Sequence, residues 1–188
     1  MSLKIALFAS GSGSNAENII QYLSHNPKFA FPLIISNKTD AYVHHRAKNL
    51  EIPSFTFSRE DFSNGDAIIQ FLKEHEIDCI VLAGFLLKIP QTLIHAFPDK
   101  IINIHPALLP KYGGKGMYGN RVHEAVAAAR ETESGITIHY VNNNYDEGNI
   151  IFQAKCTVLP TDTPDMIADK VHKLEYEHFP KVIEKIWG

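Results

Sequence analysis

The chain has 188 residues, 45% of them hydrophobic, and a formal net charge of −3, enough length and apolar content for one compact domain with a full core. No cluster of adjacent Lys or Arg exceeds two residues, so a nucleic-acid partner is not suggested. No apolar run reaches the roughly 18 residues of a membrane span, and the first strand follows Met1 too closely for a signal peptide. Cys79 and Cys156 stand alone in apolar runs and read as free thiols of a reducing cytosol, not as a disulfide.

Lys4–Ala9 is a short continuous apolar run, as expected of a strand covered on both faces. The signature recurs at Phe31–Ile35, Ser54–Phe57, Cys79–Ala83 and Lys100–Ile104. Helix-period segments lie between them at Ala16–Leu23, Ala41–Leu50, Asp66–His75 and Gln91–Phe97. Such alternation predicts parallel strands joined by right-handed crossovers. After Pro106 a glycine-rich loop (Gly113, Gly114, Gly116, Gly119) precedes a helix over Arg121–Arg130. Gly135–Val141 and Ile150–Leu159 then alternate around a turn-like Asn142–Gly148, and strands joined so briefly must be antiparallel. Pro164 opens a terminal helix ending near Trp187. The expected fold class is α/β: a Rossmann-like, doubly wound, mostly parallel sheet with an antiparallel C-terminal hairpin, as one domain over 1–188.

Three stretches carry candidate chemistry. Asn103-Ile104-His105-Pro106 closes a buried strand, and period two puts Asn103 and His105 on one face at the end where open α/β sheets bind ligands. An amide donor beside an imidazole could stabilise an oxyanion and move a proton; equally, the pair could bond loop backbone. Ser10-Gly11-Ser12-Gly13-Ser14-Asn15 lies between the first strand and helix, with Ser14 and Glu17 spaced as a capping box. Glycines and a helix start favour an anion, although the string extends to G-x-G-x-x-A with Ala16 and a plain tight turn is also open. No acid follows the second strand, which ends Ser36-Asn37-Lys38, so a phosphate monoester suits the loop better than a dinucleotide. Asp146 sits in the hairpin connection, where it either bonds its own backbone or reaches His105 and raises its pKa.

Weaker signals surround these. His172 and Glu175 share a face of the terminal helix, as solvated residues or as substrate contacts, whereas His178 points elsewhere. No HExxH or CxxC pattern exists, so no metal site is expected. The apolar segment Gly84–Pro90 is core or a bed for a flat heterocycle.

Taken together, Gly11-Ser12-Gly13-Ser14-Asn15, Leu82-Ala83-Gly84-Phe85, Asn103-Ile104-His105-Pro106-Ala107-Leu108-Leu109-Pro110 and Asp146-Glu147-Gly148 resemble the phosphoribosylglycinamide formyltransferases. The likeness runs from Lys4 to about Pro180. Methionyl-tRNA formyltransferase and formyltetrahydrofolate hydrolase are similar in the core but carry an additional domain that 188 residues do not accommodate. The resemblance implies transfer of a formyl group from 10-formyltetrahydrofolate, as co-substrate, to the amine of 5-phosphoribosylglycinamide, without a metal. It further implies a cytoplasmic purine-biosynthetic enzyme, monomeric or weakly dimeric.

By the same resemblance Asn103, His105 and Asp146 match the catalytic triad, with Asn103 an oxyanion donor beside the folate and His105 kept charged by Asp146. Gly13, Ser14 and Asn15 match the phosphate loop and Glu175 a carboxylate that contacts the glycinamide. Leu86, Leu87, Lys88 and Ile89 match the segment lining the folate pocket, with the hairpin 142–147, and Arg59 is a looser match to a folate-side arginine. Two departures stand out. Leu87 occupies a position where many members carry arginine, and the loop 113–120 is longer, without a clear counterpart to a histidine many members have there, since His123 falls inside the predicted helix. A hydrolase passing the formyl group to water, a nicotinamide-dependent oxidoreductase and a non-catalytic binding module are the rival functions.

Overall fold

The computed structural model describes residues 2–188. Five strands, β1 (Leu3–Phe8), β2 (Phe29–Ser36), β3 (Ser54–Thr56), β4 (Cys79–Leu82) and β5 (Ile101–His105), run parallel. They are followed by the antiparallel strands β6 (Glu133–Tyr140) and β7 (Ile150–Thr157). The order across the sheet is β3-β2-β1-β4-β5-β6-β7. This is the α/β, mostly parallel sheet with an antiparallel C-terminal pair that the alternation predicts.

Both faces are covered, which is why the parallel strands read as unbroken apolar runs. Ile5 and Leu7 of β1 point into one core, with Ile102, Ile104, Ile136 and Ile138. That core is closed by α1 (Ser14–Leu23), α2 (Val43–Asn49), α6 (Asn120–Ala128) and α7 (Pro164–Trp187). Ala6 and Phe8 point into the other, under α3 (Asp61–Asn64), α4 (Asp66–Glu74) and α5 (Gln91–Ala96). The short α3 has no helical period to announce it, and β2 and β6 each begin two residues before the expected runs.

Two helix starts differ in kind. α7 is capped by Thr163, whose hydroxyl accepts from Met166 N, with Pro164 preset for the first turn. The carbonyl of Tyr176, which Pro180 leaves without its helical donor, accepts instead from Asn18 Nδ2 of α1. At α1 the expected Ser14–Glu17 capping box does not form: the N-cap is Gly13 in the left-handed region (φ 72°), with no side-chain cap. Glu17 turns instead to the guanidinium of Arg46 on α2. No described helix is long and apolar enough to cross a membrane.

Candidate active site

The chain leaves β1 for β2 on one side and returns through β4 on the other, so the crossovers diverge between β1 and β4. A crevice opens outside the carboxyl ends of strands at such a point. Here it is a cavity of about 710 Å³, lined by every candidate position of the sequence from Gly13–Asn15 to Glu175. A smaller cavity of about 450 Å³ adjoins it and shares Arg59 and Leu86, Leu87, Lys88 and Ile89.

Asn103 and His105 share the strand face of Ile101, as period two requires. The antiparallel neighbour puts His139 opposite Asn103 and Thr137 opposite His105. Thr137, fully buried, donates to the Ala107 carbonyl and accepts from Leu109 N, pinning the chain as it leaves β5. His139 Nδ1 lies 2.8 Å from the Tyr140 carbonyl, which can only accept, so in the neutral ring Nε2 is the acceptor. Asn103 Nδ2 donates to that nitrogen at 3.1 Å. The amide is thereby oriented with its second N–H left for the cavity.

His105 is 4% exposed, and its Nε2 donates to the Tyr112 carbonyl at 2.7 Å. Nδ1 is therefore the basic nitrogen of the neutral ring, and it faces Asp146 Oδ2 at 3.6 Å. The hairpin thus does reach His105. Asp146 adopts the left-handed conformation (φ 56°), its Oδ2 accepts from Gly114 N at 2.9 Å, and its Oδ1 stands 3.7 Å from His139 Nε2. Burial alone would raise the Asp146 carboxyl, but His139, His105 and the Gly114 N–H outweigh it and hold it below the usual carboxylate range.

Burial pushes the His105 imidazole below its ordinary value, and the Asp146 charge and the Tyr112 carbonyl, both pulling upward, do not make up the loss. In the neutral ring the free nitrogen, Nδ1, has the Asp146 carboxylate beside it. Proximity of the carboxylate was legible in the sequence; the desolvation was not.

On the opposite wall lies the glycine loop. The α1 start offers N–H groups without helical partners. Arg46 Nε donates to the Ser12 carbonyl and Val43 N to the Gly11 carbonyl, so α2 straps the loop down. A Cβ at Gly13 would meet Val43 Cγ2 at 2.3 Å, whereas one at Gly11 would meet nothing within 4 Å. Ser14 stands in the first turn, and Asn15 donates through Nδ2 to Glu175 Oε2 at 2.9 Å. Glu175, 5% exposed, also accepts from His172 Nδ1 at 3.0 Å. That bond holds His172 above its ordinary value despite its partial burial. His123 of α6 lies beside them, buried, with its ring 6.3 Å from that of His172 and its pKa pushed down by burial first.

The third wall is apolar. Leu86 is 43% exposed at the cavity, while Ile89 is buried and belongs mostly to the core beneath. Leu87 is half-buried, and Lys88 crosses to the hairpin, its Nζ 5.7 Å from the centre of the Tyr145 ring. Arg59 sits exposed on the rim between the two cavities. Ser10 joins this wall to the loop: its buried hydroxyl accepts from Leu86 N and donates to Asn37 Oδ1. Asn37 stands where a dinucleotide site would carry its acid. Among the described residues no group of three His, Cys, Asp or Glu is placed to hold a metal ion.

The sequence assigns no role to His139, His123, Tyr112 or Ser10, although Ser10 stands in the glycine-loop string and His123 in the predicted helix. His139 had a signal, being two positions from Thr137 in an alternating strand; the others depend on chain segments that meet only in the fold.

Residues 3–183 match the Formyl transferase family. The chain is 40% identical over 190 residues to the phosphoribosylglycinamide formyltransferase of Bacillus subtilis, covering 98% of this chain and 95% of that protein. It is 38% identical to the chloroplastic one of Arabidopsis thaliana, spanning 97% of this chain and 65% of that longer protein. Among solved structures, glycinamide ribonucleotide transformylase 1 from Geobacillus kaustophilus superposes with a TM-score of 0.91 at 32% identity, covering 100% of both chains. The phosphoribosylglycinamide formyltransferase of Streptococcus pneumoniae gives 0.87 at 35%, covering 99% of both. The chain belongs to the formyl transferase family and, within it, to the phosphoribosylglycinamide formyltransferases.

Proposed function

We propose that this chain moves the formyl group of 10-formyltetrahydrofolate onto the amine of 5-phosphoribosylglycinamide, a step of purine biosynthesis. The observation that carries the reading is the meeting of Asn103, His105 and Asp146 at the floor of a cleft with an anion-binding helix start on one wall and apolar side chains on another. The amine of the bound substrate attacks the formyl carbon, and the C=O electron pair moves to oxygen. The free N–H of Asn103 stabilises that oxyanion. His105 Nδ1 takes the proton the attacking nitrogen loses, and the imidazolium so formed pairs with Asp146. Collapse re-forms the carbonyl and breaks the bond to folate N10, which receives the proton back from His105. The products are the N-formylated amine and tetrahydrofolate, and no enzyme nucleophile is required.

Gly13, Ser14 and Asn15 suit the substrate phosphate, since helix-start N–H groups and the dipole favour an anion. Glu175, held by Asn15 and His172, suits the glycinamide portion. Leu86, Leu87, Lys88 and Ile89 suit the pteridine and Arg59 the anionic end of the folate. With Leu87 in place of an arginine, polar contacts there fall to backbone groups and Lys88.

The test is an initial-rate assay of formyl loss from 10-formyltetrahydrofolate with and without the glycinamide substrate. Turnover only when the amine is present, with one formylated amine per tetrahydrofolate, supports the transferase. Equal release of formate without the amine would replace it with a hydrolase.

A further inference from the structure

Three consecutive residues of the loop after β5 each meet a side chain at the reacting end of the cleft. The Tyr112 carbonyl takes the Nε2 proton of His105 at 2.7 Å. Gly113 lies against Leu109 and Asp146: an added Cβ would strike Leu109 Cδ2 at 2.6 Å and touch Asp146 Cβ at 3.4 Å. Gly114 N donates to Asp146 Oδ2 at 2.9 Å. One short stretch of backbone therefore sets both the tautomer of the imidazole and the aim of the carboxylate.

That stretch begins in a conformation its residue does not favour. Tyr112 has φ 56°, in the left-handed region that a bulky side chain adopts only where its surroundings hold it. What holds it lies outside the cavity. The Tyr112 hydroxyl donates to Glu131 Oε1 at 2.9 Å, and Lys111 Nζ donates to the same oxygen at 3.1 Å. Glu131 does not line the cavity. It sits between α6 and β6, its N–H bonded to the Val126 carbonyl, and β6 is the strand that carries His139 opposite Asn103. Its backbone is thus tied to the end of α6 and not to the loop it grips.

We infer that Glu131 is a positioning residue for formyl transfer: it locks Tyr112 in the left-handed conformation so that the loop backbone presents His105 as the Nε2–H tautomer, Nδ1 open, and aims Asp146 at it. The inference rests on the catalytic reading of His105 and Asp146 given above. A carboxylate remote from both substrates then affects the chemical step without contributing to their binding.

Glu131→Ala, Glu131→Gln and Tyr112→Phe test this in the full chain, with His105→Ala as reference. Tyr112→Phe keeps the ring and deletes only the hydroxyl. Glu131→Gln keeps a carbonyl oxygen to accept from it. Glu131→Ala and Tyr112→Phe should lower kcat roughly 10- to 100-fold, the scale of a misplacement approaching 1 Å, with KM for both substrates little changed. Glu131→Gln should restore most of the rate. ¹⁵N–¹H correlation of the His105 ring should find one Nε2–H tautomer in the wild type and Glu131→Gln, and a mixture in the other two. Should Glu131→Ala not fold, Tyr112→Phe decides alone. An unchanged kcat, or a lowered kcat with His105 still wholly Nε2–H, overturns the inference. Full activity in His105→Ala would overturn the catalytic reading instead, and the ring tautomer is readable without activity.

Discussion

Asn103 and His105 are placed by hydrogen-bonded strand register, whereas Asp146, 3.6 Å from His105, is placed by a left-handed turn and one N–H from a glycine loop. The first two cannot shift without moving the centre of the sheet. The third belongs to a hairpin connection, where local opening is cheapest. The electrostatics divide along the same line. Burial lowers the His105 pKa, and the loop-borne carboxylate works against that burial. In the proposed mechanism the strand-borne pair supplies the groups that touch the reacting atoms, and the loop-borne carboxylate pairs with His105 once it has taken the proton.

Substitutions on the two sides should break this contrast to different depths. Asn103→Ala removes the strand-borne donor and should cost kcat about 10²–10³-fold, with an unchanged far-ultraviolet spectrum. Near-normal turnover would leave the oxyanion without its assigned donor. Asp146→Asn should cost less. If His105 acts as the proposed base, kcat/KM should fall on the acid side as that ring protonates. The Asp146 anion favours the imidazolium, so removing it makes protonation harder and moves the acid limb of the profile to lower pH. A limb that stays put would uncouple hairpin from histidine. The glycine loop gives the smallest effect and asks whether every loop in the cleft is soft. Because a Gly13 side chain strikes Val43, Gly13→Val should lower stability by about 1–3 kcal/mol in urea unfolding and so confound binding with folding. Gly11→Ala meets nothing, so it should leave stability intact and raise KM for the phosphorylated amine alone, a result that equal loss for the folate would contradict.

What the sequence made legible follows the same division. The unbroken apolar runs and the short Asn142–Gly148 connection determine the parallel sheet and its antiparallel end, because both rest on local periodicity. Period two alone puts Asn103 and His105 side by side. His139 facing Asn103 needed the register between β5 and β6, which a 27-residue excursion from Pro106 to Thr132 sets and no local rule supplies. The capping box failed for a related reason: Ser14 and Glu17 have the right spacing, but Gly13 takes the N-cap position against Val43, and Arg46 claims Glu17. The downward shift of the His105 pKa lay furthest from view, since it comes from burial that no local pattern sets.

The proposed mechanism needs His105 as a buried neutral base whose Nδ1, beside Asp146, takes the proton of the attacking amine. A ¹⁵N titration of the His105 side chain in the wild-type chain tests it most directly. The expected result is a neutral Nε2–H ring at pH 7 and a midpoint below the ordinary imidazole value of about 6.5. An imidazolium persisting at pH 7, or a neutral ring protonated on Nδ1, would contradict it.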